Sequence, residues 1–389
     1  MDRVYLDNAA TAYPKAPGVG DAVKHFIDDI GCNVKRGVYK SSLSAEEIVF
    51  DTREQLCRLF NFDKPENVIF TQNITQSLNY ILKGILKRGD HCIVSSMEHN
   101  AVMRPLTQLM AEGVEVSRIK CDTFGRLNPK DITEQIKSNT KAVIMTHASN
   151  VCGTVLPIYE VGKICKEKGI NFIIDSAQGA GALRLDFQQL NADAIAFTGH
   201  KGLLGPQGIG GFVINDKLAN MMSSLITGGT GSFSDSEEQP EYLPDKFEAG
   251  TPNIPGIFGL NAALKYLESI GIENIWSGEM KLTSTFINEV SNMKDVMLAG
   301  LEDIIGRTAV VSLDFQGRDN AEISYKLDKE YGIATRCGLH CAPSAHKTLG
   351  TFPQGTVRFS FSHLNTIEEV KYAVDGINKI MNSSYLPST

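Results

Sequence analysis

The sequence lacks long apolar runs, an excess of basic residues and a leader-like N-terminus. Its 389 residues are 42% hydrophobic and 21% charged, which is ordinary for a globular protein. No stretch of about 18 apolar residues occurs, and the first residues do not follow the basic-then-apolar order of a signal peptide. We therefore expect a cytoplasmic protein without a membrane span. The net charge of −7 disfavours a nucleic-acid partner, because nucleic-acid binders are usually basic.

Cysteine is sparse and irregularly spaced. The eight cysteines are scattered along the chain, so we expect no disulfide framework. Cys337 and Cys341 stand apart because they share a polar segment with His340. These three side chains offer three zinc ligands, but no second CxxC-like pair follows them, and we expect no metal site.

Short apolar runs alternate with helical patterns through the middle of the chain. The runs that predict strands cover residues 67–71, 91–95, 141–146, 171–174 and 192–197. Helical patterns over 75–87 and 158–168 lie between them. Strands separated by helices of this length predict right-handed crossovers and a mostly parallel α/β sheet.

The length of the chain predicts two domains rather than one. A segment rich in Gly and Pro at 247–256 marks a boundary, and helices and strands follow it in a different order. We expect a large domain over residues 15–255. The predicted smaller α+β domain combines residues 1–14 with 256–389.

Polar side chains follow three successive predicted strands. They are Asn150, Asp175, Gln178, His200 and Lys201. Ligands of open α/β sheets bind beyond the carboxyl ends of the strands, so these side chains should line one rim.

Lys201 and Asp175 carry the chemistry of this rim. Lys201 lies between a strand and a glycine-rich stretch, where partial burial lowers the pKa of a lysine and makes it nucleophilic. Asp175 ends an apolar strand, where a carboxylate is costly without a cation. The ring nitrogen of pyridoxal 5′-phosphate (PLP) is such a cation. Gln178 and Asn150 could donate to the ring hydroxyl oxygen. The alternatives are a solvated lysine and a helix N-cap at Asp175.

A phosphate would be held where a strand leads into a helix at Thr75, with Thr198 and His200 as further donors. Thr75 could equally be a plain N-cap. His99 follows another predicted strand and could stack on a flat ring or move protons, although a lone histidine is more often structural.

Motifs along the chain resemble the class V aminotransferase-fold PLP enzymes, specifically the cysteine desulfurases and selenocysteine lyases. They are YLDNAAT at 5–11, NVKRG at 33–37, EHNA at 98–101, HASNVCGT at 147–154, DSAQ at 175–178, TGHK at 198–201, FEAGTP at 247–252, RCGLHCAP at 336–343 and VRFS at 357–360. The segment around Cys341 is similar to the short-loop branch. Lys35 departs from the family pattern, which usually has histidine there.

The resemblance implies fold-type I, with a mostly parallel seven-stranded sheet in the large domain. It implies that Lys201 forms the Schiff base, His99 stacks on the ring, Asp175 pairs with the ring nitrogen and Gln178 bonds the phenolic oxygen. It places Thr75, Thr198 and His200 on the phosphate, with Thr251 supplied by the second subunit of a homodimer. It places Arg358, beside Asn150 and Arg336, on the substrate carboxylate.

Cys341 decides the reaction that the resemblance implies. Its thiolate would take sulfur from cysteine, or assist the release of selenium from selenocysteine, leaving alanine. Loop access suits this role, and Arg336 and His340 nearby in sequence should favour the ionised thiol. A persulfide on Cys341 would then pass to an acceptor protein.

Three other functions stay open. One is a PLP-dependent α,β-lyase or aminotransferase on a small amino acid, with Cys341 not accepting sulfur. Another is a nicotinamide-dependent dehydrogenase, which is disfavoured because no GxGxxG follows the first strand. The third is a protein that carries PLP without turnover.

Overall fold

The computed structural model describes residues 3–34, 37, 39–232 and 235–382, so Lys35 lies outside the described residues. The strands are β1 Val4–Tyr5, β2 Val68–Thr71, β3 His91–Ser95, β4 Glu115–Ile119, β5 Thr140–Thr146, β6 Asn171–Asp175, β7 Ala194–Thr198, β8 Gly210–Ile214, β9 Val296–Ala299, β10 Val310–Phe315, β11 Ile333–Ala334, β12 Arg336–Gly338 and β13 Thr356–Ser360. The helices are α1 Val19–His25, α2 Lys40–Phe60, α3 Ile74–Ile85, α4 Asn100–Ala111, α5 Pro129–Gln135, α6 Ile158–Lys168, α7 Asp216–Met221, α8 Ile254–Ile270, α9 Ile272–Val290, α10 Asn320–Tyr331, α11 Pro343–Leu349 and α12 Ile367–Asn382. Within these ranges, none of the helices is both long and apolar enough to cross a bilayer.

The main sheet has seven strands in the order β2-β8-β7-β6-β5-β3-β4. The pairs from β7 to β4 are parallel, whereas β8 runs antiparallel to both β7 and β2. The predicted mostly parallel sheet is therefore confirmed. Strand β8 begins at the last two glycines of the stretch that follows Lys201. The sequence pattern did not predict a strand there. Gly211 is needed there because a Cβ would lie 2.3 Å from the carbonyl oxygen of Ile69 on β2.

Helices cover both faces of this sheet. Helices α3, α4 and α7 share one buried apolar cluster with it, and α1, α2, α5, α6 and α8 share another. Every residue of the central strands β3, β6, β7 and β8 is buried. A strand buried on both faces has no side exposed to water, which is why the middle of each of these strands is apolar and polar residues stand only at the ends.

A second, antiparallel sheet has the order β12-β13-β10-β9. Its core contains side chains from α9, α10 and α12 and also Val4 and Leu6 from the N-terminus, where β1 pairs with β11. Helix α8 packs against α1 and α2 in the core of the main sheet, although it begins at residue 254. The domain boundary at residue 255 therefore stays a prediction.

A buried ion pair fixes the segment that carries Thr251. Glu248 accepts hydrogen bonds from Arg53 Nη2 at 2.8 and 2.9 Å, and its Oε1 also accepts one from the Phe70 N–H at 2.8 Å. Both side chains are less than a tenth exposed. The pair thus joins α2, the end of β2 and the FEAGTP segment.

Replacing Glu248 with Leu should destabilise the fold by about 3–5 kcal/mol, because the Arg53 charge would remain buried without its partner. Urea unfolding measures this as a lower midpoint. Asp375→Asn, which breaks the exposed Asp375–Lys379 pair, is the control and should leave the midpoint unchanged. Equal midpoints for wild type and Glu248→Leu would contradict the assignment.

Candidate active site

The predicted rim exists at the carboxyl ends of β5, β6 and β7. These strands are neighbours in register, with Thr146 beside Asp175 and Asp175 beside Ala196. Lys201 and Gln178 line a common cavity of about 40 Å³ between the main sheet and the second sheet. Asn150, which follows β5, does not line this cavity; its side chain donates to the His340 carbonyl and its own carbonyl accepts from Arg358.

Lys201 is the electrostatic centre of the rim. Burial lowers the pKa of its ammonium to about 8, the nearby Arg358 lowers it further, and Asp175 opposes the shift. A lysine with this pKa has a substantial neutral fraction near pH 8. It can therefore act as a nucleophile or a base.

Asp175 and Glu98 form a pair of buried carboxyl groups. Burial raises the pKa of Asp175, while a 2.9 Å hydrogen bond from the Ala177 N–H and the charge of Lys201 lower it. No cation among the described residues forms an ion pair with Asp175. Burial raises the pKa of Glu98 to about 8, and Asp175 adds to this shift. Glu98 is therefore mainly protonated at neutral pH.

His99 caps helix α4, and this contact decides its tautomer. Its Nδ1 accepts a 3.0 Å hydrogen bond from the Ala101 N–H, so Nε2 carries the proton in the neutral ring. Burial lowers the pKa of His99 to about 4, and the charge of Lys201 lowers it further. The ring is thus neutral at pH 7 and presents an N–H donor.

Two polar atoms beside Lys201 are buried without a partner among the described residues: Thr198 Oγ1 and His200 Nδ1. Thr75 is exposed in the first turn of α3. It is not the N-cap, since Asn73 Oδ1 accepts the 3.0 Å bond from the Gln76 N–H. This contradicts the plain N-cap alternative for Thr75 and leaves its hydroxyl available.

Gln178 and Thr251 have other contacts. Gln178 Nε2 donates to the carbonyl oxygen of Ala9 at 3.0 Å, which leaves its second amide hydrogen for a ligand. Thr251 is exposed and lines a different cavity, of about 240 Å³, with Gln76 and Gly208 of the same chain. Its predicted place in the partner subunit's site stays a prediction.

Two arginines lie side by side at the edge of the second sheet. Arg336 on β12 is opposite Arg358 on β13, and directly opposed residues of an antiparallel pair share a face. Arg358 donates from Nη2 to Asp7 Oδ1 at 2.8 Å and from Nη1 to the Asn150 carbonyl at 3.0 Å. Its Nε is buried without a partner among the described residues. Arg336 is exposed, so this face can receive an anion.

Cys341 is exposed in a loop that two hydrogen bonds fasten to the rim. Asn150 Nδ2 donates to the His340 carbonyl at 2.7 Å, and the Asn100 N–H donates to the Cys341 carbonyl at 2.8 Å. Both His340 and Cys341 have positive φ, 46° and 57°, a conformation that is costly for side chains other than glycine. The two bonds hold this strained turn beside the start of α4, next to His99.

His340 supplies no positive charge to favour the Cys341 thiolate. Burial lowers the pKa of His340 to about 2, and its Nε2 lies 3.1 Å from Thr356 Oγ1, so the ring is neutral. Arg336 remains as the cation predicted near Cys341. The described residues contain no cluster of three or more His, Cys, Asp or Glu side chains that could hold a metal ion.

Sequence reasoning missed the contacts that the N-terminal segment makes with the residue before Lys201. The carbonyl of His200, immediately before Lys201, accepts hydrogen bonds from the Ala12 N–H at 2.9 Å, Thr11 Oγ1 at 3.2 Å and Lys15 Nζ at 3.0 Å. Burial lowers the pKa of Lys15 to about 8. In the sequence, this segment stood out only through the YLDNAAT motif, and the motif did not reveal which residues the segment contacts.

These groups fit PLP. The buried Asp175 carboxylate suits a ring nitrogen, Thr198 Oγ1 and His200 Nδ1 suit a phosphate, and Lys201 suits an aldehyde. His99 can lie against a flat ring. The buried polar groups of the site therefore suit the ring nitrogen, the phosphate and the aldehyde of the cofactor.

Comparisons with known proteins agree over almost the whole chain. The family model for aminotransferase class-V matches residues 4–373. A probable cysteine desulfurase of Methanothermobacter thermautotrophicus is 33% identical over 385 residues, covering 97% of this chain and 95% of its own. The cysteine desulfurase of Haloferax volcanii is 33% identical and covers 96% and 88%.

Solved structures give the same result. The apo structure of a cysteine desulfurase from Thermococcus onnurineus NA1 superposes with a TM-score of 0.91 at 32% identity, covering 97% of this chain and 94% of that one. The cysteine desulfurase CsdA of Escherichia coli, in its S-sulfonic acid form, has a TM-score of 0.87 at 29% identity, with 98% and 95% covered.

The lowered pKa of Lys201 predicts how PLP capture depends on pH. Only the neutral amine attacks an aldehyde, so the capture rate should rise with pH and reach half its maximum near pH 8. Stopped-flow growth of the visible absorption band after mixing PLP with cofactor-free protein measures this. Lys201→Arg should show no such band, and a midpoint near 10.5, the ordinary lysine value, would contradict the prediction.

Lys15→Met should weaken PLP binding about tenfold, or about 1.4 kcal/mol, because the His200 carbonyl loses its charged donor and the Lys201 turn loosens. An absorbance titration gives the dissociation constant. Lys24→Met removes an exposed lysine from α1 and is the matched control. An unchanged constant in Lys15→Met would show that Ala12 and Thr11 suffice.

Proposed function

The chain belongs to the class V aminotransferase family, and we propose that it is a PLP-dependent cysteine desulfurase that leaves alanine and carries the sulfur on Cys341. The observation that carries this proposal is the place of Cys341. Its exposed thiol lies on a strained turn tied to Asn150 and to the first residue of α4, beside His99. A cysteine with only a packing role would be buried, as Cys92, Cys121, Cys152 and Cys165 are.

The residues that would hold PLP are those that fit it. They are Lys201 at the aldehyde, Asp175 at the ring nitrogen, Gln178 at the phenolic oxygen, and Thr75, Thr198 and His200 at the phosphate. When bound, PLP supplies an electron sink for bonds broken at the substrate's α-carbon. Glu98, whose pKa burial raises to about 8, is mainly protonated at neutral pH and so adds no second anion beside Asp175.

Arg358 and Arg336 orient the substrate by its carboxylate. The Arg358 Nε–H has no partner within the described part of the chain, and Asp7 and the Asn150 carbonyl hold its guanidinium in place. A planar guanidinium held in this way accepts a carboxylate in one orientation. Lys201, whose pKa of about 8 leaves part of its Nζ neutral, would then remove the substrate's α-proton.

Cys341 acts on the substrate's sulfur. Its thiolate attacks that sulfur, an S–S bond forms and the Cβ–S bond breaks. The electron pair of the broken bond stays with carbon, which is protonated to the methyl group of alanine. Cys341 retains the sulfur as a persulfide. With selenocysteine, the same residues would release selenium.

We also propose a homodimer, a cytoplasmic location and a protein that accepts the persulfide. The exposed Thr251, fixed by the Arg53–Glu248 pair, supports a role across a subunit interface. The eight cysteines are all free, which fits a reducing compartment.

Cys341→Ser should abolish persulfide formation and lower alanine production from cysteine by more than about a hundredfold, because a hydroxyl does not accept sulfur. Mass spectrometry of the protein and quantification of alanine measure the two effects. Cys337→Ser is the control, since it removes another exposed thiol four positions away.

Unimpaired alanine production by Cys341→Ser would contradict the desulfurase mechanism. Release of sulfide together with pyruvate would favour the α,β-lyase instead. Formation of a keto acid with transfer of the amino group would favour the aminotransferase.

A further inference from the structure

The surface around Cys341 is basic, although the protein as a whole is acidic. Three segments meet there, and none contains Asp or Glu: α4 over Asn100–Ala111, residues 116–121 and residues 331–367. Five exposed cations lie on them: Arg104, Arg118, Lys120, Arg336 and Lys347. Arg336 is already assigned to the active site, and we call the other four side chains the basic rim. In a chain with a net charge of −7, acid-free segments on one side of one thiol concentrate positive charge at that thiol.

A series of contacts through α4 and α11 connects Arg118 of the basic rim to the turn that carries Cys341. The Cys341 carbonyl accepts from the Asn100 N–H at the start of α4. Arg118 Nη2 lies 4.0 Å from Met103 Sδ in the same helix, and Arg118 Nη1 donates to Ser344 Oγ at 3.3 Å. Ser344 is three positions after Cys341, so Arg118 lies within the immediate surroundings of the thiol.

The positions of the other three cations are given by their neighbours in these contacts. Lys347 is one turn after Ser344 on α11, and Arg104 is one turn after Asn100 on α4, so each shares a helix face with a residue of this series. Lys120 precedes Cys121, whose N–H donates to Ser96 Oγ at 3.0 Å. Thr348 Oγ1 donates to the same oxygen at 2.9 Å, which places Lys120 beside α11.

None of the four cations forms a salt bridge with an acidic side chain of the described residues. Lys347 lies 4.9 Å from the ring centre of Phe352, which is 45% exposed. An uncompensated cluster with an exposed aromatic ring is suited to a partner that brings carboxylates and an apolar contact.

We propose that the basic rim docks an acidic polypeptide segment that presents a cysteine thiol to the Cys341 persulfide; this rests on the proposed desulfurase function. The acceptor thiolate attacks the outer sulfur of the persulfide, a new S–S bond forms and the bond to Cys341 Sγ breaks. Cys341 leaves as the thiolate, so the electron count balances without an external oxidant or reductant. The positive surface raises the encounter rate of an anionic segment.

The test uses the cofactor-loaded enzyme, first persulfidated with cysteine and checked by mass spectrometry. Single-turnover transfer is then followed to a peptide in which one Cys is flanked by Glu, to the same peptide with Lys, and to dithiothreitol, which is uncharged. Rates are compared for wild type, Lys120→Glu/Lys347→Glu, and the control Lys24→Glu/Lys329→Glu, which changes two exposed lysines on α1 and α10.

We expect Lys120→Glu/Lys347→Glu to slow transfer to the Glu peptide about tenfold at low salt, with dithiothreitol unaffected. The difference should shrink as salt screens the charges. The Lys peptide should gain rate in the same variant, and the control should match wild type. Comparing one peptide across variants removes the intrinsic reactivity of its thiol.

A failure of persulfide loading in wild type would overturn the proposed function rather than the docking surface. Normal loading with equal Glu-peptide rates in wild type and Lys120→Glu/Lys347→Glu would overturn the docking surface alone. An equally large loss of rate with mercaptosuccinate, a small thiol with two carboxylates, would overturn the polypeptide as the occupant.

Discussion

Charged groups buried together at the carboxyl ends of parallel strands constrain the rest of this structure. Lys201, Asp175 and Arg358 share a site of low dielectric, where each would be costly alone. Burial lowers the pKa of the Lys201 ammonium to about 8, with Arg358 lowering it further and Asp175 opposing the shift. Burial also raises the pKa of Glu98 to about 8, and Asp175 adds to that shift. The balance favours a ligand that supplies both a cationic ring nitrogen and an anionic group.

The surrounding chain holds the charged groups of the site in position. The N-terminal segment places three donors on the His200 carbonyl and Asp7 on Arg358, so residues far from Lys201 in sequence hold its turn and the Arg358 guanidinium. On the opposite side, Asn150 connects Arg358 to the turn before Cys341. Arg358, the proposed carboxylate-binding residue, and Cys341, the proposed sulfur acceptor, are therefore positioned by the same residue, which would suit a reaction in which the substrate's position decides which bond breaks.

The same turn separates two environments. His340 is buried and neutral, whereas Cys341 is exposed among cations that belong to the surface rather than to the site. Chemistry on the substrate can thus be kept apart from delivery of the product sulfur.

The sequence by itself determined the parallel sheet, because strands buried on both faces must be continuously apolar, and the rim, because parallel strands end at one edge. It also singled out Lys201, Asp175, His99 and Cys341 through local motifs. Only the tertiary structure placed Asp7, Thr11 and Lys15, made β8 antiparallel, and neutralised His340 and Glu98. Those outcomes depend on burial, as for His340 and Glu98, or on partners distant in sequence, as for Asp7 with Arg358, and neither is encoded in local spacing.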